Sequence, residues 1–315
     1  MRRQLDGNAW AFVKVLAASI GRSFIPEGMF MQLRLGLILS LASVNFRPPI
    51  PILAICDDDE PVQRLMREAL SLTARCTRPV IDNNLAGVYS NGWLQAGSLQ
   101  LASRGVCFLG HWESYVGRKG QAVRDAVVSG RITLPGSVYF EPLHTAIWTY
   151  CNRPNRKNIN KLETLLKVFG LAWRVESDLA SAEDAADLAL GITQYRELIP
   201  LKEIRDYLAS IISNPVELTN GAMDLLKQYF TCSRIARRGM LPLTSLDPLR
   251  ALTEAHARLN KRMSALPEDA LAAIELCEKA LGPIPEFPPP PEETNEFATW
   301  LQNNVLAIST QFSTC

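Results

Sequence analysis

The sequence predicts an α/β fold with a mostly parallel sheet, followed by a purely helical part. Two observations predict it. Short β-rich apolar runs, PILAIC, RGVCFLG, HTAIWTYC and GLAWRVES, alternate with helical patterns such as EPVQRLMREALSLTA and GRKGQAVRDAVVSG. Strands of that kind are buried on both faces beneath helices. From about residue 184 the apolar residues recur only at three- and four-residue spacing, the period of helices.

Taken in order, residues 10–46 are apolar and helix-forming, and the RPPIP segment ends them, because proline lacks the helical N–H and restricts the residue before it. The longest uncharged apolar stretch, LGLILSLASVNF after Arg34, is about half of the ~20 residues a membrane span requires, so it reads as a buried helix. MRRQLDG meets an acid before any apolar region develops, unlike a secretory signal. After the α/β part come SAEDAADLALGI, LKEIRDYLASIIS, TNGAMDLLKQYFTCSRIARRG, SLDPLRALTEAHARLN and LPEDALAAIELCEKALG. Ser245 precedes Asp247 and Pro248, and Pro267 opens a turn with Glu268 and Asp269, where negative charge suits the helix dipole. GPIPEFPPPPEE is a proline-rich acidic spacer, too poor in helix and strand formers to pack. The expected divisions are a helical lead-in at 1–50, an α/β core at 51–180, a helical part at 181–282, and a spacer with a tail at 283–315.

The chain has 315 residues, 47% of them hydrophobic and 21% charged, enough for a substantial core. Thirty-three basic residues balance 32 acidic ones, so nucleic-acid or membrane binding must come from local patches. Seven widely spaced cysteines without a CxxC pair, and three histidines not spaced as ligands, argue for reduced thiols and against a structural zinc site. No nucleophile-elbow or Ser/His/Asp pattern is present. Trp93, Trp112, Trp148 and Trp173 lie beside strand signals and read as core.

The most informative stretch is ILAICDDDEPVQRLMREAL: strand, four acids, proline, helix. Three readings compete. Clustered carboxylates beside a strand suit Mg²⁺, as in a phosphorelay receiver, but the third strand then needs an aspartate at its end and VCFLGHW offers Gly110 and His111. A phosphate cradle needs glycines and a lysine, whereas Asp57, Asp58, Asp59 and Glu60 would repel a triphosphate by several kcal/mol. The third reading is local: acids at a helix start cap its free N–H groups for about 0.3 to 1 kcal/mol each.

Two further segments settle the order of parts. WLQAGSLQLASRGVCFLGHWESY (93–115) resembles the approach to the Walker B strand in the minichromosome maintenance (MCM) AAA+ family, with Gly97, Leu99, Leu101, Ala102, Gly105, Val106 and Cys107 in place. TEAHARLNKRMSALPEDALAAIEL (253–276) resembles the family's helical lid, through Glu254, Ala255, His256, Ala257 and Arg258, then Glu268, Asp269, Ala273, Ile274 and Leu276. The resemblance covers roughly residues 10–280 and implies an AAA+ P-loop-type parallel sheet with flanking helices and an all-helical lid. The similarity is strongest to the divergent MCM-like proteins of meiotic recombination.

That resemblance implies a nucleotide site that has lost its chemistry. Cys56 to Gln63 align with the Walker A loop: Asp57 is kept, but the lysine falls on Val62 and the magnesium-binding serine on Gln63. The Walker B acids fall on Gly110 and His111, the arginine finger on Val168 and the lid arginine on Thr244, while the sensor asparagine is kept as Asn152. Each of these groups holds Mg²⁺ or stabilises phosphoryl charge in the family. The resemblance therefore implies no catalytic residue, no metal and no cofactor, with ATP and Mg²⁺ binding doubtful. It implies a nuclear or partly cytoplasmic protein away from membranes, whose partners are other MCM-like subunits, among them a separate polypeptide carrying the N-terminal MCM half. The expected function is a catalytically inactive subunit supporting double-strand-break repair and crossover formation in meiosis. The alternatives are a helicase subunit that hydrolyses ATP with an intact neighbour, or a non-specific DNA-binding module. In the pore hairpin, RITLPGSVY, Gly136 matches but the lysine becomes Leu134. The DNA-contact candidates are Arg118, Lys119, Arg156, Lys157, Arg237 and Arg238, with Arg153, Lys161 and Arg234 in the same clusters.

Overall fold

The computed structural model describes residues 9–46, 48–79, 84–115, 117–134, 140–153, 159–175, 179–193, 198–284, 286–291 and 294–308. Two helices, α1 (Ala9–Ser19) and α2 (Met31–Ser43), precede the first strand β1 (Ile52–Cys56). Then follow α3 (Asp59–Leu70), β2 (Cys76–Thr77), a hairpin of β3 (Val88–Ser90) and β4 (Trp93–Gln95), α4 (Ser98–Leu101), β5 (Gly105–His111) and α5 (Arg118–Ser129). A second hairpin, β6 (Arg131–Thr133) and β7 (Phe140–Pro142), leads to β8 (Thr145–Asn152), α6 (Ile159–Phe169) and β9 (Trp173–Val175).

Five of these strands form one parallel sheet in the order β2-β5-β8-β1-β9. Alternation along the strands sends neighbours to opposite faces, as a two-residue period requires. Ile52, Ala54, Cys56, Val106, Phe108, Ala146, Trp148 and Tyr150 join a core with α2 and α3. Leu53, Ile55, Cys107, Leu109, Ile147 and Cys151 join a second core with α4, α5 and α6. The expected α/β layer is therefore present, with helices on both faces.

Helix α2 is buried from Leu33 to Ser43, which explains its largely apolar sequence: a helix hydrophobic nearly all round belongs inside. One hydroxyl contact ties it to the sheet. Trp148 Nε1 donates to Ser40 Oγ at 2.8 Å, and Ser40 in turn donates to Ile50 O at 2.6 Å.

The later helices are α7 (Leu179–Ala189), α8 (Leu201–Ile211), α9 (Asn220–Ala236), α10 (Leu246–Leu259) and α11 (Pro267–Leu281). The expectation of helices alone needs correction, because β10 (Glu217–Leu218) pairs in parallel with β11 (Ser264–Ala265). Strands of two residues carry no periodic signal. Within the expected spacer Ile284 is buried, and in the apolar tail beyond it α12 (Thr294–Leu301) with the turn after it buries Phe297, Leu301, Val305 and Leu306 in the same core as α9 and α11. No described helix is long and apolar enough to cross a membrane.

Candidate functional site

Connections leaving the sheet define where a site can form. From β1 the chain passes through α3 to β2 at one edge, and from β8 it passes through α6 to β9 at the other. The two paths leave adjacent strands in opposite directions and cross the sheet on opposite faces, so their first turns meet at the carboxyl ends of β1 and β8. Cys56 and Asn152 pair in register there, and Arg153 N donates to Cys56 O at 2.9 Å.

The four acids of the β1–α3 turn have separate tasks. Asp58 caps α3, its Oδ1 accepting from Glu60 N at 3.1 Å, which is the local capping reading of the sequence. Asp57 pairs with Arg153 at 3.3 Å across two half-exposed side chains. Asp59 lies 3.5 Å from His111 Nε2 and accepts from Cys56 Sγ at 3.5 Å. Glu60 adds charge to the first turn.

The two positions aligned with phosphate-binding residues point elsewhere. Val62 is fully buried in α3, packed in the core beneath the sheet. Gln63 donates to the Tyr150 hydroxyl at 2.8 Å. Burial, with Asp59 nearby, raises the Tyr150 phenol.

At the end of β5, Gly110 takes a left-handed φ of 75° beside a bulge in the pairing with β8. Its carbonyl accepts from Thr149 Oγ1 at 2.8 Å. His111 then stands edge-on to Tyr150, ring centroids 5.4 Å apart. Cys56, His111 and Asp59 thus neighbour one another, but burial, with Asp59 next, raises the Cys56 thiol far above neutrality, so no thiolate is available. Among the described residues no group of three histidines, cysteines or acids is arranged to hold a metal.

A cavity of about 240 Å³ opens beside the turn, lined by Phe24, Ile25, Pro26, Met29, Phe30, Cys56, Asp57, Asp58, Pro61, Val175 and Ala185. No cation lines it. Its far wall is held by Arg34, which is fully buried in α2 and donates to the carbonyls of Ala18, Ile25 and Pro26. Sequence reasoning missed this wall. The signal was a lone charge inside MQLRLGLILS.

Val168 and Thr244 are brought together, but at the opposite end of the sheet. Both line a groove of about 290 Å³ with Pro48, Pro49, Pro51, Val127, Val128, Leu143, Thr145 and Pro248. Thr244 Oγ1 donates to Lys167 O at 2.9 Å, and Ser245 Oγ donates to Gly170 O. Asp57, Val62, Gln63, Gly110, His111 and Asn152 therefore share one end of the sheet, while Val168 and Thr244 occupy the other.

The basic candidates divide. Arg118 and Lys119 sit in the first turn of α5, and Arg156 and Lys157 lie outside the described residues. Arg238 is 84% exposed and 2.9 Å from Glu286. Arg237 must be withdrawn: its side chain is buried, its guanidinium 2.7 Å from the buried Glu278, which also accepts from Tyr229 at 2.6 Å. Trp93 is a second correction, since it is 80% exposed on the β3–β4 hairpin, whereas Trp112, Trp148 and Trp173 are buried as expected. A two-stranded hairpin standing off the sheet has no second layer to cover it.

No family model matches the chain. Minichromosome maintenance domain-containing protein 2 of Homo sapiens and that of Mus musculus are each 26% identical to it, and that of Rattus norvegicus is 27% identical, in each case over 88% of this chain. The chain spans about half the length of these relatives, 48% of each. The parallel sheet flanked by helices and this shared similarity together support an MCM-like domain in the chain, similar to minichromosome maintenance domain-containing protein 2.

Proposed function

We propose that the chain is a non-hydrolysing MCM-like AAA+ subunit, a structural member of a nuclear multi-subunit complex that supports meiotic recombination. The observation that carries the proposal is the β1–α3 turn. Where a triphosphate would need N–H groups and a lysine, the turn has three aspartates and a glutamate, one of them already capping α3, and a fully buried valine. The residues present do not fit a magnesium nucleotide. Gly110 offers no carboxylate to the metal, and His111 is engaged by Asp59. The groups that would serve a neighbour's phosphates are likewise uncharged at Val168 and Thr244. The meiotic role rests on the resemblance to the divergent meiotic MCM-like proteins. The helical part from residue 181 stands as the lid of the module.

The test combines nucleotide chemistry with partner identification. Calorimetry of the chain with Mg²⁺-ATP is expected to give no saturable binding at micromolar concentrations. Val62→Lys with Gln63→Ser is expected to restore no turnover, because the lysine would have to enter a packed core, destabilising the fold by about 3 kcal/mol or more in urea denaturation. Micromolar ATP affinity, or turnover abolished by Asp57→Ala, would overturn the proposal. Recovery of intact MCM-like subunits with the tagged chain from meiotic tissue is expected; a chain recovered alone would remove the complex.

A further inference from the structure

We propose that Arg75 and Arg104 form a binding seat for a phosphate monoester at the β2 edge of the sheet, separate from the acidic turn. The two arginines belong to different segments that the sheet forces together. Cys76 pairs with Val106, so the residues just before them, Arg75 and Gly105, are in contact, and Val106 N donates to Arg75 O at 3.1 Å. Gly105 makes this approach possible: a Cβ there would lie 2.1 Å from Arg75 O.

The two residues share one depression. Arg75, Arg104, Ala74 and Ser103 line a surface hollow of about 400 Å³, and no acid is among them. Arg75 Nη1 donates to Ser103 O at 3.2 Å, which fixes one guanidinium beside the other segment. Arg104 has a φ of 59°, a conformation that a long side chain seldom adopts, and its N–H donates to His144 O at 2.7 Å. Such an outlier persists where its surroundings hold it. Both arginines are exposed, and among the described residues neither is ion-paired.

Two arginines that line one hollow without an ion pair among the described residues leave its positive charge uncompensated, which favours an anion there. A tetrahedral dianion can accept from both forks at once, which a single carboxylate does less well, and a phosphate monoester has about −1.5 to −2 charge at neutral pH. A nucleic-acid strand instead requires a basic track along its backbone. Here four described residues line the hollow, and the Arg131 guanidinium is stacked 4.4 Å over Phe140. The geometry thus fits a discrete phosphoryl group, presented by a phosphorylated side chain or by a small molecule.

The full 315-residue chain should be titrated calorimetrically with phenyl phosphate, with a phosphoserine peptide and its unphosphorylated counterpart, and with a single-stranded oligonucleotide. Phenyl phosphate is expected to bind saturably, one per chain, at least tenfold more weakly after Arg75→Gln or Arg104→Gly, and unchanged after Arg205→Gln. Glycine accepts the left-handed conformation, so the Arg104→Gly chain keeps its fold. Tighter binding of the phosphopeptide supports the seat with a protein source, and equal binding supports it with a small-molecule source. No saturable binding, unchanged affinity in both variants, or oligonucleotide affinity that exceeds phenyl phosphate and grows with strand length would overturn the proposal.

Discussion

Arg258 joins parts of the chain that are far apart in sequence. It is 1% exposed; its Nε donates to Asn214 O and its Nη1 to Ala42 O, both at 2.9 Å, and its guanidinium lies 3.6 Å over the Phe46 ring. Burial lowers its pKa to about 10, so it remains charged at neutral pH. Arg258→Leu fills much of the space but leaves two carbonyls unpaired, and urea denaturation is expected to register a loss of about 2 to 4 kcal/mol. Single residues were legible in the sequence where the chemistry is local. Asp58 could be recognised as a cap because capping needs only its own helix. Arg237 could not be separated from Arg238, since the difference is a glutamate 41 residues away, and Trp93 gave no sign that its hairpin lacks a covering layer.

Elements were legible in proportion to their length and burial. The four β-rich apolar runs became β1, β5, β8 and β9, because strands covered on both faces are uninterrupted hydrophobic sequence. The hairpins and the two-residue strands are too short to express a period, and their pairing is decided by tertiary contacts. The tail is the clearest case. Nothing local in the stretch beyond the proline-rich segment shows where it docks, yet Phe297 is fully buried in the core reached by α12. Phe297→Ala is expected to cost about 3 to 5 kcal/mol, measured by the same denaturation, whereas a solvated tail would give no change. The candidate site was legible as a turn with the wrong charges. Its cavity was not, because one wall comes from residues 24–30, which meet β1 only through the fold.

For the whole molecule the buried thiols set an upper limit on pH. Burial pushes Cys107, Cys151 and Cys277 up to about 12 from an ordinary value of 9. The unfolded chain releases these protons first, so the stability they contribute is intact below pH 9 and declines as pH rises from 9 toward 12, by up to about 1.4 kcal/mol per unit for each thiol. Arg34 and Arg258, lowered by burial to about 10, act in the opposite direction above that pH, and Lys14, also lowered by burial, opposes the decline. The urea midpoint is therefore expected to fall most clearly between pH 9 and 10; a flat profile there would contradict the burial of these groups. Of the described cysteines only Cys76 is exposed, so it should react with a thiol reagent while the others wait for unfolding.

Helix α10 has one more consequence. It is buried continuously from Leu249 except at Arg250, and Arg258 bonds it to α2. A hinge between the helical segment and the sheet would have to pull a charged side chain out of its carbonyl partners and expose an entire helix at once. Such a motion is unfolding rather than opening, so one buried guanidinium ties the helical segment to α2 as a fixed joint.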